Sequence, residues 1–314
     1  MVDGIVITGP TASGKTALSI DVAQRLAAEI VSMDSRQVFI GMDIGTAKPT
    51  AAQRALVPHH GIDLLPPSER YSAGRFACDA RLWLDDIETR SRTAVVVGGT
   101  GFFLRALTHP MFEEPPLDAL RKEALKHYLE GLSREELLRW LRSLDEASAT
   151  RLGAEGGRQR VARAVEIALL TGRPLSQWHR QQPARARPLE FLTFVLELPR
   201  PVLYARINER VTQMLRAGLV DEVRGLLMAG YDERAPGMNT TGYIELLPYL
   251  RAQTTLEEAA DQVRAATRAY ARRQMTWFRH QLAAGSVPLD ATRPGEELAH
   301  DIVSAWRTAS GGGS

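Results

Sequence analysis

Gly9-Pro10-Thr11-Ala12-Ser13-Gly14-Lys15-Thr16 matches the phosphate-binding pattern G-x-x-x-x-G-K-[ST] at every fixed position. The chemistry needs these residue types. Glycines let backbone N–H groups turn inward with no Cβ in the way. The helix that should follow brings the partial positive charge of its N-terminus. Lys15 is long enough to reach terminal phosphates, and the Thr16 hydroxyl suits a Mg²⁺ ligand. Such a loop holds a diphosphate or triphosphate; alone it names neither the ligand nor the reaction.

Two further segments could act beside it. Asp34 closes the apolar run Ile30-Val31-Ser32-Met33 and is followed by Ser35-Arg36-Gln37. It is a candidate metal ligand or general base. Gly98-Gly99-Thr100-Gly101 follows another apolar run and offers one hydroxyl where backbone could approach a ligand closely. An ATP-hydrolysing motor usually has an acid after that second strand, to hold Mg²⁺ and orient water. None follows Val97 here.

These residues need strand ends to carry them. Ile5-Val6-Ile7-Thr8, Ile30–Met33, Thr93–Val97 and Phe191–Leu198 read as strands, short and rich in β-branched or apolar residues. Leu18, Val22 and Leu26 mark a helix after the phosphate loop, and a second helix is expected from Ser72 to Arg90. Strand alternating with helix predicts an α/β fold: a P-loop NTPase-like parallel sheet flanked by helices. The strand bearing Asp34 is expected beside the P-loop strand, so that both face one crevice. Residues 41–68, rich in Gly, Pro and Thr, read as irregular.

After Pro110, Pro115 and Pro116 the rhythm changes. From Leu117 to about Gln182 the pattern is helical throughout, with Leu137, Leu138, Leu141 and Leu144 on one stripe and Val161, Val165, Ala168 and Leu169 on another. The expected division is a core of residues 1–112 and 188–310, an inserted all-helical domain at 113–187, and a flexible Gly-Ser tail at 311–314. Helices resume over Val202–Leu227 and from Thr255 to about Leu282.

Composition bounds the rest. The chain has 314 residues, 44% of them hydrophobic and 24% charged, which is a globular profile. One cysteine, Cys78, excludes an intrachain disulfide and any Cys-cluster metal site, and suits a reducing cytoplasm. No apolar run approaches a membrane span, and no secretory signal is visible. The net charge of +2 hides two basic stretches: residues 158–187 sum to +6 and residues 264–280 to +5, all from arginine. Arg264, Arg268 and Arg272 recur every fourth residue, with Tyr270, Arg273 and Trp277 on another face. No acid stands four residues from these arginines, so the face reads as one for a nucleic-acid backbone.

Taken jointly, Gly9–Thr16, Asp34-Ser35-Arg36-Gln37-Val38, Asp43-Ile44-Gly45-Thr46-Ala47-Lys48-Pro49, His59–Asp63, Val96–Gly101, Gly242-Tyr243 with Glu245, and Tyr270–Arg279 resemble the tRNA dimethylallyltransferases, or IPP transferases. The resemblance runs from Gly4 to about Gln281. Phe39 and Phe103 stand where the family usually has tyrosine, and Ile244 where it has lysine.

The resemblance implies transfer of a dimethylallyl group from dimethylallyl diphosphate to N6 of adenosine 37 in tRNA. Asp34 would be the base and Thr100 a hydrogen-bonding partner at the reacting centre. Gly9, Thr11, Ala12, Ser13, Gly14, Lys15 and Thr16 would line the diphosphate, with Mg²⁺ on Thr16; of Arg206 and Arg210, one turn apart, Arg210 is the one expected to reach the same phosphates. Contacts to the anticodon stem-loop would come from Asp34, Ser35, Arg36, Gln37, Thr100, Arg121, Gln159, Arg160, Val161, Ala162, Arg163, Gly242, Tyr243, Arg268 and Arg272. The inserted block would clasp the stem-loop, and the enzyme would be a cytoplasmic monomer. A competing reading is a small-molecule kinase using ATP at the same loop, with Asp34 as base. It leaves the arginine face unexplained.

Overall fold

A computed structural model describes residues 2–109, 117–181, 187–282 and 285–311. Pro110, Pro115 and Pro116, where the sequence rhythm changes, lie outside these, as does the tail from Gly312. The chain divides into two compact units: Met1–His109 with Pro188–Ser314, and Pro110–Arg187.

The first unit is built on a six-stranded parallel sheet ordered β3-β2-β4-β1-β5-β6. The strands are β1 (Gly4–Thr8), β2 (Glu29–Ser32), β3 (His59–His60), β4 (Ala94–Gly98), β5 (Phe191–Glu197) and β6 (Val287–Asp290). The expected adjacency of the Asp34 strand and the P-loop strand does not occur: β4 lies between β2 and β1. Strand β4, Ala-Val-Val-Val-Gly, is the most continuously apolar of the set and takes a central position, buried by strands on both sides. Strand β2 carries Glu29 and Ser32 and lies further out. Parallel register still brings the ends of β1, β4 and β2 to the same edge of the sheet.

Residues 41–68 are more regular than expected, holding α2 (Ala51–Leu56) and β3. Thr50 caps α2 through a capping box with Gln53, a helix start that six residues of weak pattern hid. On one face of the sheet, α1 (Lys15–Leu26) packs Leu18, Ile20 and Val22 into a core with Ile5, Ile7 and Phe194. On the other, α3 (Ala73–Thr89) and α4 (Gly101–Thr108) bury Phe76, Leu84, Phe103 and Leu107 against Val6, Val31 and Val96. Phe103 stacks on Phe76 with centroids 4.5 Å apart, and Phe39 is equally buried. Neither place has use for a hydroxyl.

The second unit holds α5 (Ala119–Glu130), α6 (Arg134–Leu144), α7 (Glu146–Glu155), α8 (Arg158–Thr171) and α9 (Leu175–Gln181). Leu137, Leu141, Val161 and Val165 are its core, but Leu169, placed on that stripe from the sequence, is 41% exposed. It lies eight residues beyond Val161, where α8 has rotated it past the core face. Arg158 is not a free cation: it donates to the carbonyls of Leu129, Glu130 and Leu132 and closes the turn after α5.

Back in the first unit, α10 (Arg200–Arg216) and α11 (Leu219–Met228) are separate helices, broken at Gly218, whose φ of 101° glycine alone adopts readily. Past two 3₁₀ segments come α12 (Leu247–Leu250) and the long α13 (Leu256–Gln281), capped by Thr255 and Glu258. Helix α14 (Gly295–Gly311) closes the α1 face with Leu298, Ala299 and Ile302.

Candidate active site

The phosphate loop joins β1 to α1 as its sequence requires. Gly9 and Gly14 hold φ of 146° and 94°. A Cβ on Gly9 would fall 2.8 Å from the Leu196 carbonyl, so the loop lies against β5. Ala12 is left-handed at φ 62°. For a residue with a Cβ that costs about 1 kcal/mol, a strain that collects at functional loops. Lys15 Nζ donates to the carbonyls of Gly9 at 3.0 Å and Pro10 at 2.7 Å. Ser13 is buried under the loop, and Thr16 lies in the first turn of α1.

The electrostatics place three more residues at this loop. Burial pushes the Lys15 ammonium down to about 7; the nearby Arg210 charge adds to that and Asp34 opposes it. Burial also lowers Arg210, again against Asp34. Burial and the Asp34 charge push the Tyr270 phenol up to about 12, partly offset by Arg36 and a hydrogen bond with Thr100. So Lys15, Arg210, Asp34 and Tyr270 share one neighbourhood. Of the two arginines considered from the sequence, Arg210 is the one at the site. Arg206, four residues earlier, is exposed and donates to the Ala291 carbonyl at 3.1 Å.

Asp34 reaches this neighbourhood across β4 because β4 ends in glycine. A Cβ on Gly98 would lie 1.9 Å from the Met33 carbonyl, and one on Gly101 2.2 Å from the Trp277 ring. With no side chains in the gap, the Thr100 Oγ1 accepts the Ser35 N–H at 3.1 Å, tying the two strand ends together. Asp34 Oδ1 accepts the Arg36 N–H at 2.8 Å, which turns its carboxylate back over its own loop. One carboxylate, one hydroxyl and two cations thus gather at the phosphate loop. That arrangement can hold a diphosphate, stabilise it as it departs, and take a proton from an incoming nucleophile.

The model of the IPP transferase family matches residues 37–281, and that of the isopentenyl transferases residues 3–56. The chain belongs to the IPP transferase family. A tRNA dimethylallyltransferase of Roseiflexus is 43% identical over 309 residues, covering 98% of this chain and 99% of its own. One from Geobacter metallireducens is 42% identical over 275 residues, covering 88% and 89%. Among solved structures, a tRNA isopentenylpyrophosphate transferase from Staphylococcus epidermidis matches with TM-score 0.70 at 36% identity, over 97% of this chain and 98% of that one. A eukaryotic dimethylallyltransferase acting on tRNA matches with TM-score 0.78 at 28% identity, over 98% and 77%.

Several family motifs hold the site up without touching it. Tyr243, expected to contact the RNA, is fully buried in this structure. Its ring lies where a Cβ on Gly45 would come within 2.4 Å, and its hydroxyl donates to Glu222. Gly242 is buried too and donates its N–H to Glu245 at 2.7 Å. Gln37 is held inside the fold: its amide accepts from Ser32 and donates to the carbonyls of Thr46 and Ala47. Lys48 is buried and bonded to Phe39, Asp43 and Asp63, while His60 pairs with the buried Glu29; both are structural.

Of the RNA candidates in the helical unit, Arg121, Gln159 and Arg160 are exposed and Ala162 is half-buried. Val161 is core, with no exposed surface, and Arg163 pairs with Glu166. On α13, Arg264 does meet an acid, Asp261, three residues back rather than four. Arg268 donates to Asn208 at 2.7 Å, and the exposed Arg272 donates to the Tyr204 hydroxyl at 3.2 Å. The residues that sequence reasoning missed are Gln274 and Glu222. Gln274 lies inside the basic stretch and the Tyr270–Arg279 block but was given no role there, Glu222 lies in neither, and the partners of both lie far away in the chain.

Proposed function

We propose that the chain transfers a dimethylallyl group from dimethylallyl diphosphate to N6 of adenosine 37, beside the anticodon of tRNA, releasing pyrophosphate. The observation that carries this reading is the meeting of Lys15, Arg210 and Asp34 at one phosphate loop. The allylic C1–O bond breaks and its electron pair leaves with the diphosphate, where Lys15, Arg210 and the loop amides stabilise it. The N6 lone pair forms the new bond to C1. The N6 proton passes to the Asp34 carboxylate, which helps because the adenine amine is a weak nucleophile.

No group of three or more His, Cys, Asp or Glu side chains that could hold a metal occurs among the described residues. The Thr16 hydroxyl in the first turn of α1 fits Mg²⁺, which usually takes one or two protein oxygens and fills its shell with substrate phosphates and water. Thr16 would hold it, and when bound it supplies further neutralisation of the leaving diphosphate.

N6 cannot be reached within a stacked anticodon loop, so the base must be extruded. Arg36 and Arg272 in the first unit, and Arg121, Gln159 and Arg160 in the second, supply contacts to the stem-loop. The reading is of a monomer, and a tRNA substrate is consistent with activity in the cytoplasm. No described helix is long and apolar enough to cross a membrane. The kinase alternative is not favoured: the relatives that match over nearly the whole chain are tRNA dimethylallyltransferases.

Incubation with dimethylallyl diphosphate, Mg²⁺ and an anticodon stem-loop RNA should add the mass of one prenyl unit to the RNA. In Asp34→Ala, transfer should fall by about 10²–10⁴ while RNA affinity stays within a few-fold. Unmodified RNA alongside ATP-dependent phosphorylation of a small acceptor would overturn the reading.

A further inference from the structure

One buried amide touches both halves of the site. Gln274, on α13, is 7% exposed. Its Oε1 accepts the N–H of Thr11 at 2.9 Å. Its Nε2 donates to the carbonyl of Gly99 at 2.8 Å. Thr11 belongs to the diphosphate loop, and Gly99 to the glycine turn that carries Thr100. The fit leaves no slack: a Cβ on Gly99 would fall 2.3 Å from Gln274 Nε2 and 3.2 Å from the Gly9 carbonyl. One turn further along α13, Trp277 covers Gly101 in the same way.

An amide is planar, so its oxygen and nitrogen keep a fixed separation. If either loop moves away from the other, one of the two bonds must break or the second loop must follow. Breaking one leaves a buried polar group without a partner, which proteins avoid. The chain of contacts then continues: Thr100 accepts the Ser35 N–H, and Ser35 follows Asp34.

We propose that Gln274 is a positioning residue that couples the two half-sites, so that filling the diphosphate loop tightens the glycine turn against the incoming base, and the reverse. The inference rests on the reading of a diphosphate donor and an RNA acceptor. Coupling of this kind is reciprocal by linkage, and the expected sign is positive because one amide holds both loops in the arrangement in which each would meet its ligand.

The test uses inorganic pyrophosphate as the probe. Its Kd is measured by calorimetry at pH 8, alone and with a saturating anticodon stem-loop RNA, in the wild-type chain, Gln274→Leu and Gln274→Glu. Leucine removes both hydrogen bonds at similar volume. Glutamate keeps an acceptor for Thr11 and sets an oxygen against the Gly99 carbonyl. In the wild type, RNA should tighten pyrophosphate at least about fivefold. In both variants that ratio should drop below about twofold. A wild-type ratio of one, or a variant that keeps the wild-type ratio, would overturn the proposal. Should Gln274→Leu not fold, Gln274→Glu decides. The readout is binding alone, so a failure of prenyl transfer would count against the proposed reaction and not against the coupling.

Discussion

The Tyr243 hydroxyl donates a 2.5 Å hydrogen bond to Glu222, and the same carboxylate accepts the consecutive N–H groups of Asp43, Ile44 and Gly45 at 2.9, 2.7 and 3.1 Å. Four donors converge on one carboxylate from α11. The loop they fix is the one whose Thr46 and Ala47 carbonyls hold Gln37, three residues past Asp34. Tyr243→Phe removes one of the four and should cost about 1 kcal/mol. Glu222→Ala strips all four at once and should cost about 3 kcal/mol, since several backbone donors lose their partner together. Urea melts of the two variants check this. Equal midpoints would mean the loop is held by something else.

Gly98→Ala should be far worse than its size suggests. The new methyl would sit 1.9 Å from a main-chain carbonyl, that of Met33, and no rotamer relieves a clash with backbone. The strand ends must part, at a cost of about 3 kcal/mol or more, and the Thr100–Ser35 bond goes with them. Gly14→Ala meets no atom within 4 Å and pays only for its φ of 94°. Thermal melts should therefore rank Gly98→Ala well below Gly14→Ala.

The phosphate loop was legible in the sequence because its chemistry is local: eight consecutive residues carry both the glycine turns and the charge. Asp34 and Thr100 were legible as strand ends. Their route to each other was not, because nothing local announces that β4 inserts between β2 and β1. Strand β6 and helix α14 escaped for a similar reason. Val-Pro-Leu-Asp is too short to show a period, and it becomes a strand only by pairing with β5. Tyr243 was expected at the RNA only because Gly242-Tyr243 resembles the family's pattern; that its ring packs against Gly45, far away in the chain, no local signal announces.

Lys15 gives a pH dependence with a definite sign. In the free site its ammonium is pushed down to about 7 by burial and by Arg210. A bound diphosphate favours the charged form, so its pKa rises in the complex. The complex then holds more protons than the free protein at a pH above 7, and affinity falls as pH rises through that range. Below about 7 the ammonium is already formed and contributes no further gain. Calorimetry of pyrophosphate binding in buffers of different ionisation enthalpy should show proton uptake at pH 8 that largely disappears at pH 6. Lys15→Gln should lose that difference and bind at least tenfold more weakly at pH 6.5, the loss of one charge-assisted contact. Uptake that persists in Lys15→Gln would assign the proton to another group.

The arginines of α13 should separate in their salt response. Arg264 is paired with Asp261, and Arg268 is half-buried against Asn208. Arg272 is exposed, with only a neutral hydroxyl as partner, so of these three its charge is the one available to a phosphate. Each phosphate neutralised adds about one to the slope of log K against log salt. Arg272→Gln should therefore flatten the slope for tRNA binding by about one, while Arg264→Gln leaves it within experimental scatter. Filter binding across a range of potassium chloride measures both. If the two variants change the slope equally, the helix face acts through its summed field and not through one contact.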